Sequence, residues 1–299
     1  MVATRVCAAA KINLYLRVLG RRPDGFHEIE TVFHSVSLAD ELAISERPGD
    51  QVQVEMRVGA PSGPPPPALE ENLVTIAARL LSARAPGRGH GGAYVEVLKR
   101  IPIGGGLAGG SADAAGALVG LNELWGFGLG DQELSDVGAS VGSDVPFCLR
   151  GGTQLAAGRG ERLTPLAVEG ALWFVLAMAD EPVLAGAVYE LWDESPTTEP
   201  AGPGAIVEAL EASDLRRVAS LLHNDLETAI VALQPRLKGA VEALEGAGAL
   251  GARVSGSGPT VYGLCLDEDH ARGVAAVAES LFARVLVVSS SPQGVAKLS

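Results

Sequence analysis

Residues 101–118 read Ile-Pro-Ile-Gly-Gly-Gly-Leu-Ala-Gly-Gly-Ser-Ala-Asp-Ala-Ala-Gly-Ala-Leu, so a run of glycines passes directly into a helix-forming segment. Glycine lets the backbone adopt positive φ and bring its N–H groups close to a ligand, and a helix N-terminus adds about half a positive charge there. We therefore predict a phosphate cradle, with Ser111 as the helix cap and Asp113 in the first turn. The alternative is a glycine turn without a ligand, although so many glycines are costly to order.

The residues around the cradle exclude two better-known phosphate loops. Residues 93–101 alternate as a half-buried strand, which gives the order strand, glycine loop, helix. The spacing Gly104-x-Gly106-x-x-Gly109 fits a dinucleotide fingerprint, but residues 129–137 look helical where a second strand ending in an acid is needed. A Walker loop requires a lysine where the sequence has Gly110.

Composition indicates a globular protein with room for two domains. The chain has 299 residues, 47% of them hydrophobic, and a formal net charge of −13. We predict domains at 1–160 and 161–299, a cytoplasmic location, and no membrane or nucleic-acid partner, since neither a long apolar run nor a basic cluster is visible. The three cysteines are far apart and predict buried thiols, and no histidine pattern indicates zinc.

Two polar side chains stand out in the first strand-like run, residues 4–18. Lys11 and Asn13 are two residues apart, so a strand places both on one face. The alternative for Lys11 is an edge-strand lysine that discourages aggregation. A Pro-Asp-Gly turn then precedes Phe26 and His27 and a further strand at 29–38, although His27 alone could be a surface histidine.

Residues 42–45 and 51–58 resemble a hairpin, followed by a proline-rich loop at 61–67 that we expect to be stiff. Asn72 suits the cap of a helix over 72–81. In the second half, residues 171–178 read as a buried strand, and residues 205–222, 226–245 and 269–282 have helical periodicity.

An isolated acid and a second glycine loop complete the set of candidate residues. Asp144 lies in an apolar, glycine-flanked segment with Pro146 close behind it, and its alternative role is to cap a turn. Gly256-Ser257-Gly258 interrupts strand-like sequence and offers a second anion-binding nest. Two glycine loops, a strand lysine and an isolated aspartate suggest phosphoryl transfer, which depends on positioning and charge stabilisation.

The chain resembles the GHMP kinases nearly end to end. The resemblance rests on residues 10–16 (Ala-Lys-Ile-Asn-Leu-Tyr-Leu), 22–31 (Arg-Pro-Asp-Gly-Phe-His-Glu-Ile-Glu-Thr), the cradle from Pro102, 142–146 (Gly-Ser-Asp-Val-Pro), 223–227 (His-Asn-Asp-Leu-Glu) and 255–258 (Ser-Gly-Ser-Gly). The cradle and the last loop are shared across the superfamily. Residues 24–27 and 142–146 are more specific, and they indicate the branch that phosphorylates a cytidyl diphosphate substrate of non-mevalonate isoprenoid synthesis rather than mevalonate, homoserine or galactose.

The resemblance implies roles for individual residues. Asp144 and Lys11 would be catalytic. Asn13, Phe26, His27 and Tyr189 would bind the substrate, with the aromatic residues as a stacking platform and the histidine reading the base edge. ATP would be bound by Asn72, Pro102, Gly104, Gly105, Gly106, Leu107, Gly109, Gly110, Ser111, Gly256, Ser257 and Gly258. The chain departs from the family four residues before Tyr189, where the family usually has Ser or Thr and this chain has Ala185.

The implied architecture is an α+β, two-domain GHMP-kinase-like fold. It has an N-terminal ribosomal-S5-like α/β domain, a C-terminal ferredoxin-like α+β domain, and the active site in the cleft between them. ATP with Mg²⁺ and the cytidyl diphosphate substrate are the expected ligands, without a separate protein metal site, and a monomer or weak homodimer is the expected state. The alternatives are another GHMP kinase or the related decarboxylase, a nicotinamide oxidoreductase, and a nucleotide sensor if Lys11 and Asp144 do not converge.

Overall fold

The computed structural model describes residues 4–58, 68, 71–84, 90–178, 181, 183–196, 202–282 and 284–298. The strands are β1 (Thr4–Arg21), β2 (His27–Arg47), β3 (Val52–Val58), β4 (Gly92–Lys99), β5 (Thr153–Gly158), β6 (Arg162–Pro165), β7 (Trp173–Met178), β8 (His223–Asn224), β9 (Gly251–Val254), β10 (Thr260–Cys265), β11 (Arg284–Ser289) and β12 (Val295–Leu298). The helices are α1 (Leu73–Arg84), α2 (Gly109–Leu124), α3 (Asp131–Val141), α4 (Val145–Arg150), α5 (Ala185–Glu194), α6 (Gly204–Glu211), α7 (Leu215–Leu221), α8 (Glu227–Leu233), α9 (Arg236–Gly246) and α10 (Glu268–Ala278).

The first sheet is built on the long antiparallel pair β1 and β2. Its strand order is β12-β1-β2-β4-β3, with β5 also paired to β2, β6 to β5, and β8 to β1. β12 pairs with residues 5–8 of β1, and at Lys11 the backbone N–H donates instead to the Leu107 carbonyl of the cradle at 3.1 Å. Lys11 is only 5% exposed, and this burial excludes the edge-strand alternative.

The predicted hairpin of residues 42–45 with 51–58 is wrong. β4 lies between β2 and β3, antiparallel to the first and parallel to the second. A parallel neighbour needs a crossover connection, and α1 supplies it. The inner position suits β4 because alternate residues such as Val95 and Val97 are fully buried, whereas β3 is half exposed and forms the edge.

The cradle helix α2 packs against this sheet through small residues. A Cβ placed on Gly120 would lie 2.1 Å from Ile44 Cδ1, and one on Gly116 would lie 3.0 Å from Leu42 Cδ1. Their lack of side chains brings the helix backbone close to β2. The N-terminus of α2 is thereby fixed relative to the end of β4.

The second sheet has the order β11-β7-β10-β9, and alternation along β7 divides its two faces. Phe174 and Leu176 belong to the core shared with the first sheet, whereas Val175 and Ala177 face the core formed with α5, α8, α9 and α10. The chain changes sheet between residues 165 and 173, and β12 returns to the first sheet at the C-terminal end. A domain boundary after residue 160 stays a proposal.

The helices predicted in the second half of the chain are confirmed, although short breaks divide two of them. Residues 205–222 form α6 and α7, and 226–245 form α8 and α9, with short breaks between the members of each pair. Cys148 and Cys265 are buried free thiols, and Cys7 is only partly buried. Among the described helices, none has both the length and the apolar character that crossing a bilayer requires. The proline-rich loop at 61–67 lies outside the described residues.

Candidate active site

The two glycine loops are packed directly against each other. Gly106 has φ 75°, and a Cβ on it would lie 2.4 Å from the carbonyl oxygen of Gly258 and 2.6 Å from that of Ser255. Only glycine fits a position that combines a left-handed φ with this close approach. The side-chain amide of Asn224 holds the second loop from the other side by donating to the carbonyl of Gly256 at 2.7 Å.

The helix after the cradle begins earlier than predicted. α2 starts at Gly109, and Ala108 occupies the cap position with φ 56° and no side-chain cap. Ser111 is therefore inside the first turn and does not cap it, which corrects the prediction. Asp113 lies further along the helix and is buried. The physical reason is that Ala108 itself adopts the left-handed conformation, so the turn closes before the serine.

Lys11 and Asn13, in the middle of β1, converge with Asp144 at the start of α4. The Lys11 ammonium donates to Asn13 Oδ1 at 2.6 Å and lies 3.9 Å from Asp144 Oδ2. Asn13 in turn donates to the Thr31 hydroxyl at 2.8 Å, which fixes its amide. Asp144 is at the N-cap position of α4, but its side chain makes no capping hydrogen bond. The turn-capping alternative for Asp144 is therefore excluded, and its carboxylate is available to a ligand.

Two cavities meet at these residues. The loop cavity, about 550 Å³, is lined by the cradle, Asn72 and the second glycine loop. The aromatic cavity, about 470 Å³, is lined by Asn13, Phe26, His27 and Tyr189. The residues that line both are Lys11, Ser111, Asp144, Ala185 and Ser257. A lysine and a carboxylate thus stand where molecules in the two cavities would touch.

The aromatic cavity is walled by side chains from two separate elements. His27 begins β2 and stacks on Tyr189 of α5, with ring centroids 4.5 Å apart and planes 22° from parallel. Phe26 is 49% exposed, and the guanidinium of Arg159 lies 4.7 Å from its ring centroid. Burial, with the charge of Asp144 adding to it, raises the pKa of the Tyr189 phenol, so its hydroxyl remains a hydrogen-bond donor at neutral pH.

Comparison with known proteins gives the family. Residues 72–152 match the family model described as the GHMP kinases N terminal domain, and residues 206–284 match GHMP kinases C terminal. A 4-diphosphocytidyl-2-C-methyl-D-erythritol kinase of Gloeobacter violaceus is 44% identical over 93% of this chain and 90% of its own length. One from Nocardia farcinica is 44% identical over 96% and 93% of the two chains.

The chain belongs to the 4-diphosphocytidyl-2-C-methyl-D-erythritol kinases of the GHMP superfamily. A crystal structure of a 4-(cytidine 5'-diphospho)-2C-methyl-D-erythritol kinase superposes with a TM-score of 0.76 at 33% identity, over 96% of this chain and 99% of the other. A homoserine kinase from Cytophaga hutchinsonii, at 22% identity and a TM-score of 0.77 over 99% and 97% of the two chains, shares the fold. The expected two-domain GHMP fold is confirmed.

The structure of this kinase brings most of the sequence-predicted residues to the two cavities. The loop cavity collects Asn72, Pro102, Gly104, Gly105, Gly106, Gly109, Gly110, Ser111, Ser257 and Gly258. Two residues that were predicted to bind ATP, Leu107 and Gly256, do not line the loop cavity. Leu107 is 1% exposed and its side chain belongs to the core, although its carbonyl accepts from the Lys11 backbone N–H at 3.1 Å. Gly256 lines the aromatic cavity, against Lys11 and Asn13.

Sequence reasoning missed a buried charge cluster beneath the cradle. The Lys99 ammonium, at the end of β4, bonds to Asp40 Oδ2 and, at 2.6 Å, to Asp113 Oδ2. Lys99 and Asp113 also line the loop cavity. Burial alone would lower the pKa of Lys99, but the carboxylates of Asp113 and Asp40 more than offset this and raise it. Burial raises the pKa of Asp113 well above its ordinary range.

The two carboxylates of this cluster differ in their hydrogen bonds. Asp40 Oδ1 accepts from the backbone N–H groups of Arg100 and Ile101, at 2.5 and 2.8 Å. Asp113 Oδ1 is buried and has no hydrogen-bond partner among the residues that the structure describes. Asp40 therefore ties the start of the cradle to β2, while Asp113 carries an unsatisfied oxygen.

We expect Asp40→Asn to lower the free energy of unfolding by about 2–3 kcal/mol, because the amide puts a donor against other donors, whereas Asp113→Asn should change it by less than about 1 kcal/mol. Since burial raises the Asp113 pKa in the folded state, wild-type stability falls as pH rises towards that pKa, and Asp113→Asn removes this component of the slope. Urea unfolding of the three proteins across pH measures both effects. Equal destabilisation by the two substitutions would contradict the assignment.

Proposed function

We propose that this kinase transfers the γ-phosphate of ATP to the 2-hydroxyl of 4-diphosphocytidyl-2-C-methyl-D-erythritol in the non-mevalonate isoprenoid pathway. One observation carries the proposal: Lys11 and Asp144 line both cavities and lie 3.9 Å apart. ATP in the loop cavity and the acceptor in the aromatic cavity would then meet at these two side chains. The names and the extent of similarity of the relatives support the choice of acceptor.

The chemistry assigned to these residues follows from their charges. Asp144 would orient the acceptor hydroxyl and accept its proton as the oxygen attacks the γ-phosphorus. The Lys11 ammonium would stabilise the negative charge that develops on the transferring phosphoryl group. Lys11 is held for this role by Asn13 Oδ1 at 2.6 Å and by the face of Phe33, whose ring centroid lies 5.2 Å from its nitrogen.

The glycine loops would bind the phosphates of ATP through backbone N–H groups. Gly104 and Gly106 have left-handed φ values of 72° and 75°, a backbone conformation found in anion-binding nests. The N-terminus of α2 adds its dipole at the same point. The contact between the two loops closes the cradle from the side of the second sheet, where Ser255 donates to the Gly106 carbonyl at 3.3 Å.

The residues at the junction fit a magnesium ion carried with ATP. Within the described residues, no group of three or more His, Cys, Asp or Glu side chains could hold a metal. Mg²⁺ needs only one or two protein oxygens beside phosphates and water, and the Ser111 hydroxyl, which lines both cavities, is a suitable donor. The ion would neutralise charge on the β- and γ-phosphates.

An acceptor panel tests this function. We expect ADP release, coupled to NADH oxidation, to depend on 4-diphosphocytidyl-2-C-methyl-D-erythritol and to be at least about 100-fold slower in kcat/KM with homoserine or mevalonate, whose polar groups cannot match the site. Turnover of homoserine or mevalonate above that of the cytidyl substrate would overturn the choice of acceptor. ADP release without any acceptor would indicate an ATPase.

The stacking role proposed for Tyr189 gives a further prediction. Aromatic stacking contributes roughly 1–3 kcal/mol per base and tolerates any base. Tyr189→Ala should therefore raise KM for the cytidyl substrate and for its uridyl analogue by similar factors, about 10-fold or more. Steady-state kinetics with both compounds measure this, and Trp125→Ala, a ring that packs on His90 instead, serves as the control. A rise in KM for only one of the two compounds would contradict a role limited to stacking.

The expectations of a cytoplasmic location, a monomer or weak homodimer, and no nucleic-acid partner remain part of the proposal. The net charge of −13 supports the last, because a nucleic-acid backbone would be repelled.

A further inference from the structure

The imidazole of His27 is fixed by three side chains of one helix. Tyr189 stacks on its face, Trp192 approaches it edge-on with centroids 6.0 Å apart, and Asp193 Oδ1 lies 2.8 Å from His27 Nε2. Tyr189 and Asp193 are four residues apart on α5, so both project from one side of the helix. The ring of His27 is 9% exposed and cannot reorient without losing these contacts.

This arrangement determines which nitrogen of His27 carries the proton. A carboxylate only accepts hydrogen bonds, so Nε2 must donate to Asp193, and a neutral imidazole then has its lone pair on Nδ1. The Arg21 guanidinium lies 3.9 Å from Asp193 Oδ2, on the side of the carboxylate that does not contact His27. In the described part of the chain, no group hydrogen-bonds to Nδ1 of His27. The residue itself lines the aromatic cavity.

We infer that Asp193 is a positioning residue that sets base specificity by holding His27 as an acceptor at Nδ1. The inference rests on the proposed function, because it assigns the discrimination between two pyrimidines at that site. An acceptor at Nδ1 matches an exocyclic amino group, as on cytosine, and opposes the carbonyl oxygen that uracil has at the same position. Without Asp193 both tautomers of His27 become accessible, and the uridyl analogue is no longer rejected as strongly.

The first test reads the tautomer in the free protein. Long-range ¹H–¹⁵N correlation spectra of histidine-labelled protein at mildly alkaline pH distinguish protonated from unprotonated ring nitrogens. The chain has five histidines, and a His27→Gln variant assigns the signal. We expect an unprotonated Nδ1 on His27 in the wild type and a mixture of tautomers in Asp193→Leu. A protonated Nδ1 in the wild type, or an unchanged spectrum in the variant, overturns the inference.

The second test reads specificity. For Asp193→Leu we expect KM for the cytidyl substrate to rise about 10-fold and the ratio of cytidyl to uridyl kcat/KM to fall about 10-fold, with kcat at saturation changed less than about twofold. Asp193→Glu should restore part of the ratio. Glu194→Leu, which removes an exposed carboxylate from the same helix, should leave the ratio unchanged.

A general loss of structure would lower activity on both nucleotides without changing their ratio, and that outcome overturns the inference. Failure of the wild type to phosphorylate either nucleotide substrate would refute the proposed function instead. It would leave the tautomer spectrum as a separate result.

Discussion

Asp144→Asn is expected to lower kcat by about 10²–10⁴-fold while ATP affinity stays within about twofold. Asparagine occupies the same volume at the start of α4 but cannot take a proton from the acceptor hydroxyl. It also removes the negative charge 3.9 Å from the Lys11 ammonium. Because the wild-type Asp144 side chain makes no helix-capping hydrogen bond, the substitution should not disturb α4.

Single-turnover rates and nucleotide titration separate the two effects. The control is Asp136→Asn on α3, which removes an exposed carboxylate outside both cavities and should retain full activity. If Asp144→Asn keeps more than half of the wild-type kcat, Asp144 is neither the base nor the positioning group. A large fall in ATP affinity would instead place its main contribution in nucleotide binding.

Gly106→Ala is expected to reduce kcat/KM for ATP by at least about 100-fold. Its Cβ would fall 2.4 Å from the Gly258 carbonyl oxygen, so one glycine loop must move away from the other. A displacement of about 1 Å in a phosphate-positioning element is sufficient for a loss of this size. A left-handed φ adds roughly 1–2 kcal/mol of strain for any residue with a Cβ.

The control for strain alone is Gly126→Ala. Gly126 has φ 61°, but a Cβ added there would have no atom of the described residues within 4 Å, so this variant should lose stability and keep its ATP kinetics. Thermal unfolding and ATP-dependent kinetics of both variants give the comparison. A folded Gly106→Ala protein with wild-type ATP kinetics would show that the nucleotide binds away from the paired loops.

Much of the site could be predicted because its residues carry local signals. Lys11 and Asn13 share a face through the period of a strand, and the glycines indicate a backbone that approaches a ligand. Asn72 was predictable as a cap, and its side chain accepts from the Val74 N–H at 2.9 Å. These inferences depend on spacings of a few residues, over which secondary structure fixes geometry.

The parts that could not be predicted depend on distant pairing. Lys99 meets Asp40 across 59 residues, and His27 meets Asp193 across 166, so no local pattern indicates either contact. The insertion of β4 beside β2 is likewise a non-local choice, decided by which strand buries more apolar surface. For the site of His27, the sequence offered one local signal. Tyr189 and Asp193 are four residues apart, and residues at that spacing on a helix share a face.

The most direct test of the central claim is the identity of the product. Phosphorus-31 NMR of the wild-type reaction with ATP and 4-diphosphocytidyl-2-C-methyl-D-erythritol should show ADP and, in equal amount, a new phosphomonoester on the polyol, with the diphosphate linkage intact. Release of inorganic phosphate without a monoester, or no reaction with this acceptor while another GHMP substrate is phosphorylated, would contradict the claim that the two cavities meet at a kinase centre for this substrate.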